Sequence, residues 1–125
     1  MPNLIGKTVL LIEDDKEQSI ILVRKLEAEG YKVLASYNGK DGWNRVRYDK
    51  PDIIILDIGI PLIDGYTLCS MIKGDNQTKN IPVIVLTAKD MVTDMEKCLE
   101  LGADTYMAKP FKWERLLATI KNRVQ

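Results

Sequence analysis

Three carboxylates, a hydroxyl and an ammonium stand where apolar runs of this chain break off. The run "DIIIL" is followed by Asp57, and Gly59, Pro61 and Gly65 then interrupt any continuation. The run "TVLLI" leads into Glu13, Asp14 and Asp15. "PVIVLT" closes on Thr87, and "TYMA" is followed by Lys109 and Pro110. Burying a lone carboxylate is costly, so Asp57 is expected at a mouth where something meets it. Two unit charges 4 Å apart repel by about 4 kcal/mol at an effective dielectric near 20, so clustered acids need a positive partner. Oxygen ligands without Cys or His favour a hard cation such as magnesium. A metal, a hydroxyl donor and an ammonium around a carboxylate make a phosphoryl-transfer site. Asp57 would attack, the metal and Lys109 would neutralise the phosphoryl oxygens, and Thr87 would donate to one of them.

That chemistry requires elements that bring the five groups together. Five short runs read as buried strands: 8–12, 32–36, 52–56, 82–87 and 105–108. Most are continuously apolar, as strands covered on both faces are. Helical periods lie between and after them. Leu22, Val23 and Leu26 share a face in 16–29, Trp43 and Val46 in 39–47, and Leu68, Met71 and Ile72 in 64–73. Met91, Met95, Cys98 and Leu99 stripe a fourth helix, and Trp113, Leu116, Leu117, Ile120 and Val124 a fifth. These stripes read as core packing. Asp15 with Gln18 suits a capping box opening the first helix, Gly30 suits its exit, and Asp64 suits the cap of the third. Strand and helix alternate five times, which predicts an α/β, flavodoxin-like, doubly wound five-stranded parallel sheet of order 2-1-3-4-5 with five helices. In that order strands one and three are neighbours at the switch point, and ligands bind beyond their carboxyl ends. Glu13, Asp14 and Asp57 are therefore expected to converge, with Thr87 and Lys109 at the same edge.

Composition narrows the class. The 125 residues are read as one domain, 1–125, large enough for a hydrophobic core. Lys+Arg and Asp+Glu balance at 18 each, so no global field favours nucleic acid or membrane. No apolar run nears the roughly 20 residues of a membrane span, and the N-terminus lacks a signal-peptide pattern. Cys69 and Cys98 lack metal-type spacing and are expected to pack as small apolar residues in a reducing cytoplasm. The chain has no histidine, which removes Ser-His catalysis, His-ligated zinc and an internal phosphohistidine.

With these residues in place the chain resembles a two-component response-regulator receiver domain over residues 7 to 124. The family's acidic pair falls on Glu13 and Asp14, and its phosphoacceptor on Asp57, followed by "IGIPLIDG". Its hydroxyl residue falls on Thr87 in "LTAK", its lysine on Lys109 in "KPF", and its switch aromatic on Tyr106. The family has a cis bond before that proline. The resemblance implies a magnesium (or manganese) ion held by Asp14, Asp57 and the Gly59 carbonyl, with Glu13 acting through water. It also implies a sensor histidine kinase or histidine phosphotransfer domain as phosphoryl donor, and an unidentified downstream protein as receiver of the signal. The chain would be no metabolic enzyme, catalysing only its own phosphorylation and autodephosphorylation. Thr87 would move toward the phosphoryl group and Tyr106 turn inward, altering the face of the fourth helix, fifth strand and fifth helix.

Rival readings fit the residues less well. A nucleotide binder would cradle phosphate after the first strand with glycine or hydroxyl residues, whereas "EDD" repels it. An aspartate-nucleophile phosphohydrolase carries a second acid two residues after the nucleophile, and here that position is Gly59. A degenerate receiver would have lost its acceptor or metal acids, and this chain keeps both. Receivers of winged-helix regulators typically dimerise through an acid at the position of Thr105 and an arginine at that of Thr119. Both are threonine here, so the activated chain is expected to stay monomeric, without direct nucleic-acid or membrane contact. Lys112, Arg115, Lys121 and Arg123 read as a solvated helix face. Neutralising Asp57 as asparagine is expected to stabilise the metal-free protein. The chain is either a stand-alone receiver or an excised domain, and Met1 favours the former.

Overall fold

The structure, a computed structural model, describes residues 6–88, 96, 97 and 99–124. The elements run β1 (Thr8–Ile12), α1 (Lys16–Ala28), β2 (Lys32–Ser36), α2 (Gly39–Asp49), β3 (Ile53–Asp57), α3 (Gly65–Gly74), β4 (Val83–Ala88), β5 (Thr105–Lys109) and α4 (Trp113–Arg123). All pairings are parallel and the sheet order is β2-β1-β3-β4-β5. Four helices thus have bounds among the described residues, where the sequence predicts five. Of the additional helix, Glu96, Lys97, Leu99 and Glu100 are helical, while Met91, Met95 and Cys98 lie outside the described residues.

Both faces of the sheet are covered, which is why its strands read as unbroken apolar runs. Alternate residues separate cleanly. Val9, Leu11, Ile53, Ile55, Ile84, Leu86 and Met107 pack with Leu22 and Leu26 of α1 and with Leu116 and Ile120 of α4. Leu10, Ile12, Ile54, Leu56, Val83 and Val85 pack with Val46 of α2 and with Leu68, Cys69 and Ile72 of α3. Leu10, Ile12, Ile54 and Leu56 are wholly buried, each such side chain stabilising the fold by roughly 1.5–3 kcal/mol. One-residue shifts separate three strands from their sequence reading. β3 starts at Ile53 and keeps Asp57 in the ladder opposite Leu86. β4 starts after Pro82, which cannot donate, and continues through Ala88; β5 extends to Lys109, opposite Ala88. Each of these strands runs on until its chemical residue is fixed by backbone pairing.

Caps set where the helices begin. Asp15 Oδ1 accepts from Glu17 N–H at 3.0 Å and Gln18 N–H at 3.2 Å, and Asp64 Oδ1 accepts from Thr67 N–H at 2.9 Å. Gly30, at φ +98, closes α1 with Gly30 N–H to Glu27 O and Tyr31 N–H to Leu26 O. The loop after Asp57 is clamped against two helix starts. Gly39 N–H donates to Pro61 O at 3.0 Å, and Gly65 N–H to Ile58 O at 3.2 Å. A Cβ on Gly39 would land on the Ile63 carbonyl, and one on Gly65 would lie 2.5 Å from Ile58 Cα. A Cβ on Gly74 meets nothing within 4 Å.

Gly39→Ala and Gly65→Ala should therefore each cost about 1–3 kcal/mol by overpacking. Gly74→Ala, on a helix end with open space, should be neutral or stabilising by up to about 1 kcal/mol. Urea titrations of the three variants measure this; a Gly39→Ala protein as stable as Gly74→Ala would contradict the clamped loop.

Candidate functional site

The carboxyl edge of the sheet gathers the chemical residues. Glu13 N–H donates to Ser36 O at 3.0 Å, so the chain continues beside β2 and the Glu13 side chain turns inward, leaving the residue 2% exposed. Asp14, the next residue, faces solvent. Asp57 ends β3 half-buried, its Oδ1 accepting from Gly59 N–H at 2.9 Å. One carboxylate oxygen each of Glu13, Asp14 and Asp57 lies within 4.8 Å of the others. The convergence expected from the strand order is present.

Lys109 supplies the positive partner. From β5 its side chain crosses the end of β4 and reaches Asp57 Oδ2 at 2.6 Å and Glu13 Oε2 at 3.0 Å. The bond from Lys109 to Pro110 is cis, as the resemblance implies. Thr87 on β4 is buried, and its hydroxyl has no hydrogen-bond partner among the described residues. Tyr106 is half-buried, two strands from Asp57, against the core on the α2–α3 side.

The three ion-paired groups titrate differently. Burial, followed by the hydrogen bond with Asp57, pushes the Glu13 carboxyl up from 4.5 to about 7, against the opposing pull of Lys109. Burial also acts to raise Asp57, but hydrogen bonds with Glu13, Lys109 and Gly59 outweigh it and hold that carboxyl below its ordinary range. Lys109 is raised despite burial, because Asp57 and Glu13 hydrogen-bond to its ammonium. These directions bear on Asp57→Asn, which the sequence reading expects to stabilise the metal-free protein: a carboxyl held below its ordinary range argues for the opposite sign. Glu13 is the more buried of the two carboxylates, and Asp57 has the shorter contact with Lys109, which accounts for the opposite directions of their shifts.

Other residues depart from their sequence reading. The second half of the capping box is absent: Asp15 N–H donates to Glu13 Oε1 at 3.1 Å, so the start of α1 is tied to the acidic cluster. Lys112, Arg115, Lys121 and Arg123 are exposed, as read from the sequence, but Arg123 also has partners within the chain: its Nη2 donates to Asp104 O at 2.9 Å and to Thr105 Oγ1 at 3.1 Å. Lys73, partnered by Asp104 at 2.7 Å, also donates to Ile81 O at 2.7 Å and Lys79 O at 3.1 Å. No sequence signal marks that pair, whose members are far apart in the chain. A cleft of about 640 Å³ opens beside the site between α1 and the β5–α4 loop, lined by Ile21, Leu22, Lys25, Phe111 and Trp113, with Glu13 and Lys109 at its edge.

Residues 9–121 match the family model of the response regulator receiver domain. Solved structures agree. A candidate response regulator from Chloroflexus aurantiacus is 33% identical with a TM-score of 0.91, covering 95% of this chain and 98% of that one. The signal receiver domain of a signal transduction histidine kinase from Syntrophus aciditrophicus is 34% identical with a TM-score of 0.89, covering 95% and 90%. The receiver domain of a sensor histidine kinase from Pseudomonas aeruginosa, solved with magnesium coordinated in its active-site cleft, is 29% identical with a TM-score of 0.87, covering 95% and 98%.

The raised Glu13 has a stability consequence with a defined sign. Between 4.5 and about 7 the folded protein binds more protons at Glu13 than the unfolded chain does. Its contribution is therefore full below 4.5 and is lost as pH rises toward 7. Asp57 contributes oppositely, its stabilisation being lost as pH falls below 3.8 and through its lowered folded value. Metal-free melting temperature should decline between pH 5 and pH 7.5, and Glu13→Gln should flatten that decline and raise the midpoint at pH 7.5. Asp57→Asn should lower the midpoint at that pH. Thermal melts in chelator across the pH range read all three, and an unaltered slope in Glu13→Gln would refute the assignment.

Proposed function

The chain belongs to the response regulator receiver domain family, and on that premise we propose that Asp57 takes a phosphoryl group from a phosphohistidine of a sensor histidine kinase or histidine phosphotransfer domain. The observation that carries the reading is the Lys109 ammonium held 2.6 Å from Asp57 and 3.0 Å from Glu13. A nucleophilic carboxylate with its cation already placed is prepared for an anionic electrophile. An Asp57 oxygen forms the new bond to phosphorus as the phosphorus–nitrogen bond of the donor breaks, and the freed imidazole leaves with its electron pair and takes up a proton. Lys109 meets the phosphoryl oxygens, and the Thr87 hydroxyl donates to one of them. The product is an acyl phosphate, which water later hydrolyses.

Glu13, Asp14 and Asp57 form a donor set that fits a hard divalent cation, magnesium or manganese. Asp14, Asp57 and the Gly59 carbonyl would hold it, with Glu13 acting through water, and when bound the ion supplies charge neutralisation for the phosphoryl oxygens. The protein is then a signalling phosphoacceptor that catalyses its own phosphorylation and dephosphorylation, and no more. Donor docking is supported by the cleft beside Lys109, which combines the apolar Ile21, Leu22, Phe111 and Trp113 with the polar Gln18 and Lys25, and whose wall Ile21 is 50% exposed. No described helix is long and apolar enough to cross a membrane.

The output reading rests on Thr105, Thr119 and Tyr106. Phosphorylation adds roughly −2 in charge beside Thr87 and Lys109. Thr87 moves toward it and Tyr106 turns further into the core, reshaping the edge formed by β5 and α4 for an unidentified protein. Thr105 Oγ1 accepts from Arg123, and Thr119 Oγ1 donates to Arg115 O at 2.8 Å, so both hydroxyls are engaged within the chain. Neither offers a charge to a second copy. The activated protein acts as a monomer.

A small acyl phosphate should label wild type once, at Asp57, and only with a divalent cation present. Intact-mass measurement on wild type and Asp57→Ala tests this, and equal labelling of the variant, or labelling in chelator, would refute it. Lys109→Ala and Thr87→Ala should each slow labelling by about 10²-fold or more if they act on the phosphoryl oxygens. The beryllofluoride-activated protein should scatter light as a monomer at micromolar concentration; an activation-dependent dimer through the β5–α4 edge would overturn the output reading.

A further inference from the structure

The outer face of α2 carries a second constellation, separate from the acidic cluster. The Arg47 guanidinium lies 5.3 Å from the centre of the Trp43 ring and 5.4 Å from that of Tyr48. Asn44 Oδ1 accepts from Arg47 Nη2 at 3.4 Å and steadies the fork. Tyr48 is 78% exposed, a large aromatic surface left to solvent. The acids of the helix are occupied. Arg45 pairs with Asp41 at 3.3 Å and with Asp49 at 3.7 Å, and Asp41 also accepts from Ser36 Oγ at 2.7 Å. Lys40, Arg47 and Lys50 make no ion pair among the described residues and are exposed. A neutral protein thus presents a local, uncompensated positive face on one helix.

The chemistry of that face selects a ligand class. Trp, Tyr and Arg are the residue types that dominate binding energy at protein interfaces. A guanidinium held beside two aromatic rings and by Asn44 has part of its rotamer freedom lost beforehand and still offers N–H groups to a carboxylate. Nucleic acid is a poor fit, because its affinity comes from many phosphate contacts and only three cations stand here. A short acidic protein segment needs no more. We propose that the outer face of α2 docks an acidic segment of a partner protein. One Asp or Glu carboxylate pairs with Arg47, a neighbouring apolar side chain packs on Tyr48, and Lys40 and Lys50 attract the flanking acids. β2 is the edge strand beside α2, whereas β5 and α4 lie at the other edge. Docking here is therefore compatible with either state of the Asp57 site.

The test uses the full chain and a synthetic peptide alternating glutamate and phenylalanine, with an alternating lysine and phenylalanine peptide as control. The acidic peptide should produce saturable, salt-sensitive amide and indole NMR shifts centred on Trp43, Arg47 and Tyr48. Arg47→Ala should weaken binding about tenfold. Arg47→Lys, which keeps the charge and loses the fork, should weaken it severalfold, and Asp57→Ala should leave it unchanged. Thermal melts establish that the variants are folded. Absence of saturable shifts, shifts centred elsewhere, undiminished binding by Arg47→Ala, or equal binding of the lysine peptide would overturn the proposal. Tighter binding of an oligothymidine at the same residues would also overturn it, in favour of a nucleic-acid site. If the stack only stabilised α2, Arg47→Ala would lower the melting temperature without any peptide having bound.

Discussion

The contact between the Lys109 ammonium and the carboxylates of Asp57 and Glu13 sets the terms for the whole carboxyl edge of the sheet. Glu13 is almost fully buried, and a buried carboxylate without a cation is driven to its neutral form. Lys109 cannot satisfy both acids equally. It lies closer to Asp57, whose carboxyl is held low, while Glu13 stays raised to about 7. One carboxylate of the pair is thereby kept charged at neutral pH, and the other retains an affinity for further positive charge. The donor set thus fits a divalent cation for a physical reason as well as a geometric one.

The scaffold makes this contact reachable. Lys109 stands on β5, Asp57 on β3 and Glu13 just beyond β1, so the lysine must span the end of β4. Parallel pairing fixes where along each strand those residues fall, and so brings their ends to one edge of the sheet. The cap of α1 adds a second tie, since Asp15 holds the helix start with its carboxylate and holds Glu13 with its backbone N–H. A change of charge at the cluster therefore bears directly on α1 and on the cleft beside it. At the far end of the sheet, Lys73, Asp104 and Arg123 join the end of α3, the starts of β4 and β5, and the end of α4. That network ties down the end of β5 opposite to Lys109.

Most of the fold was legible before the structure, because its cause is local. A strand covered on both faces must be apolar at every position, and five such runs separated by helical periods admit few topologies. The same rule placed Glu13, Asp14, Asp57, Thr87 and Lys109 at one edge, since each stands at the end of such a run. The resemblance to receiver domains added the metal's ligand set and the phosphoryl donor, and the family match over residues 9–121 agrees with that resemblance.

What the tertiary structure decided is how charge is shared among groups distant in sequence. Sequence placed three acids together but could not say which would bear the strain, because that depends on burial and on distances of a few tenths of an ångström. It assigned Gln18 to a capping box whose second bond Glu13 takes instead. It read Arg123 rightly as exposed but could not show that Asp104 and Thr105 stand within its reach across the β5–α4 edge. Apolar pattern is written residue by residue, since water excludes each side chain on its own account. Electrostatic partnership is a property of pairs, and only the folded chain brings the pairs into contact.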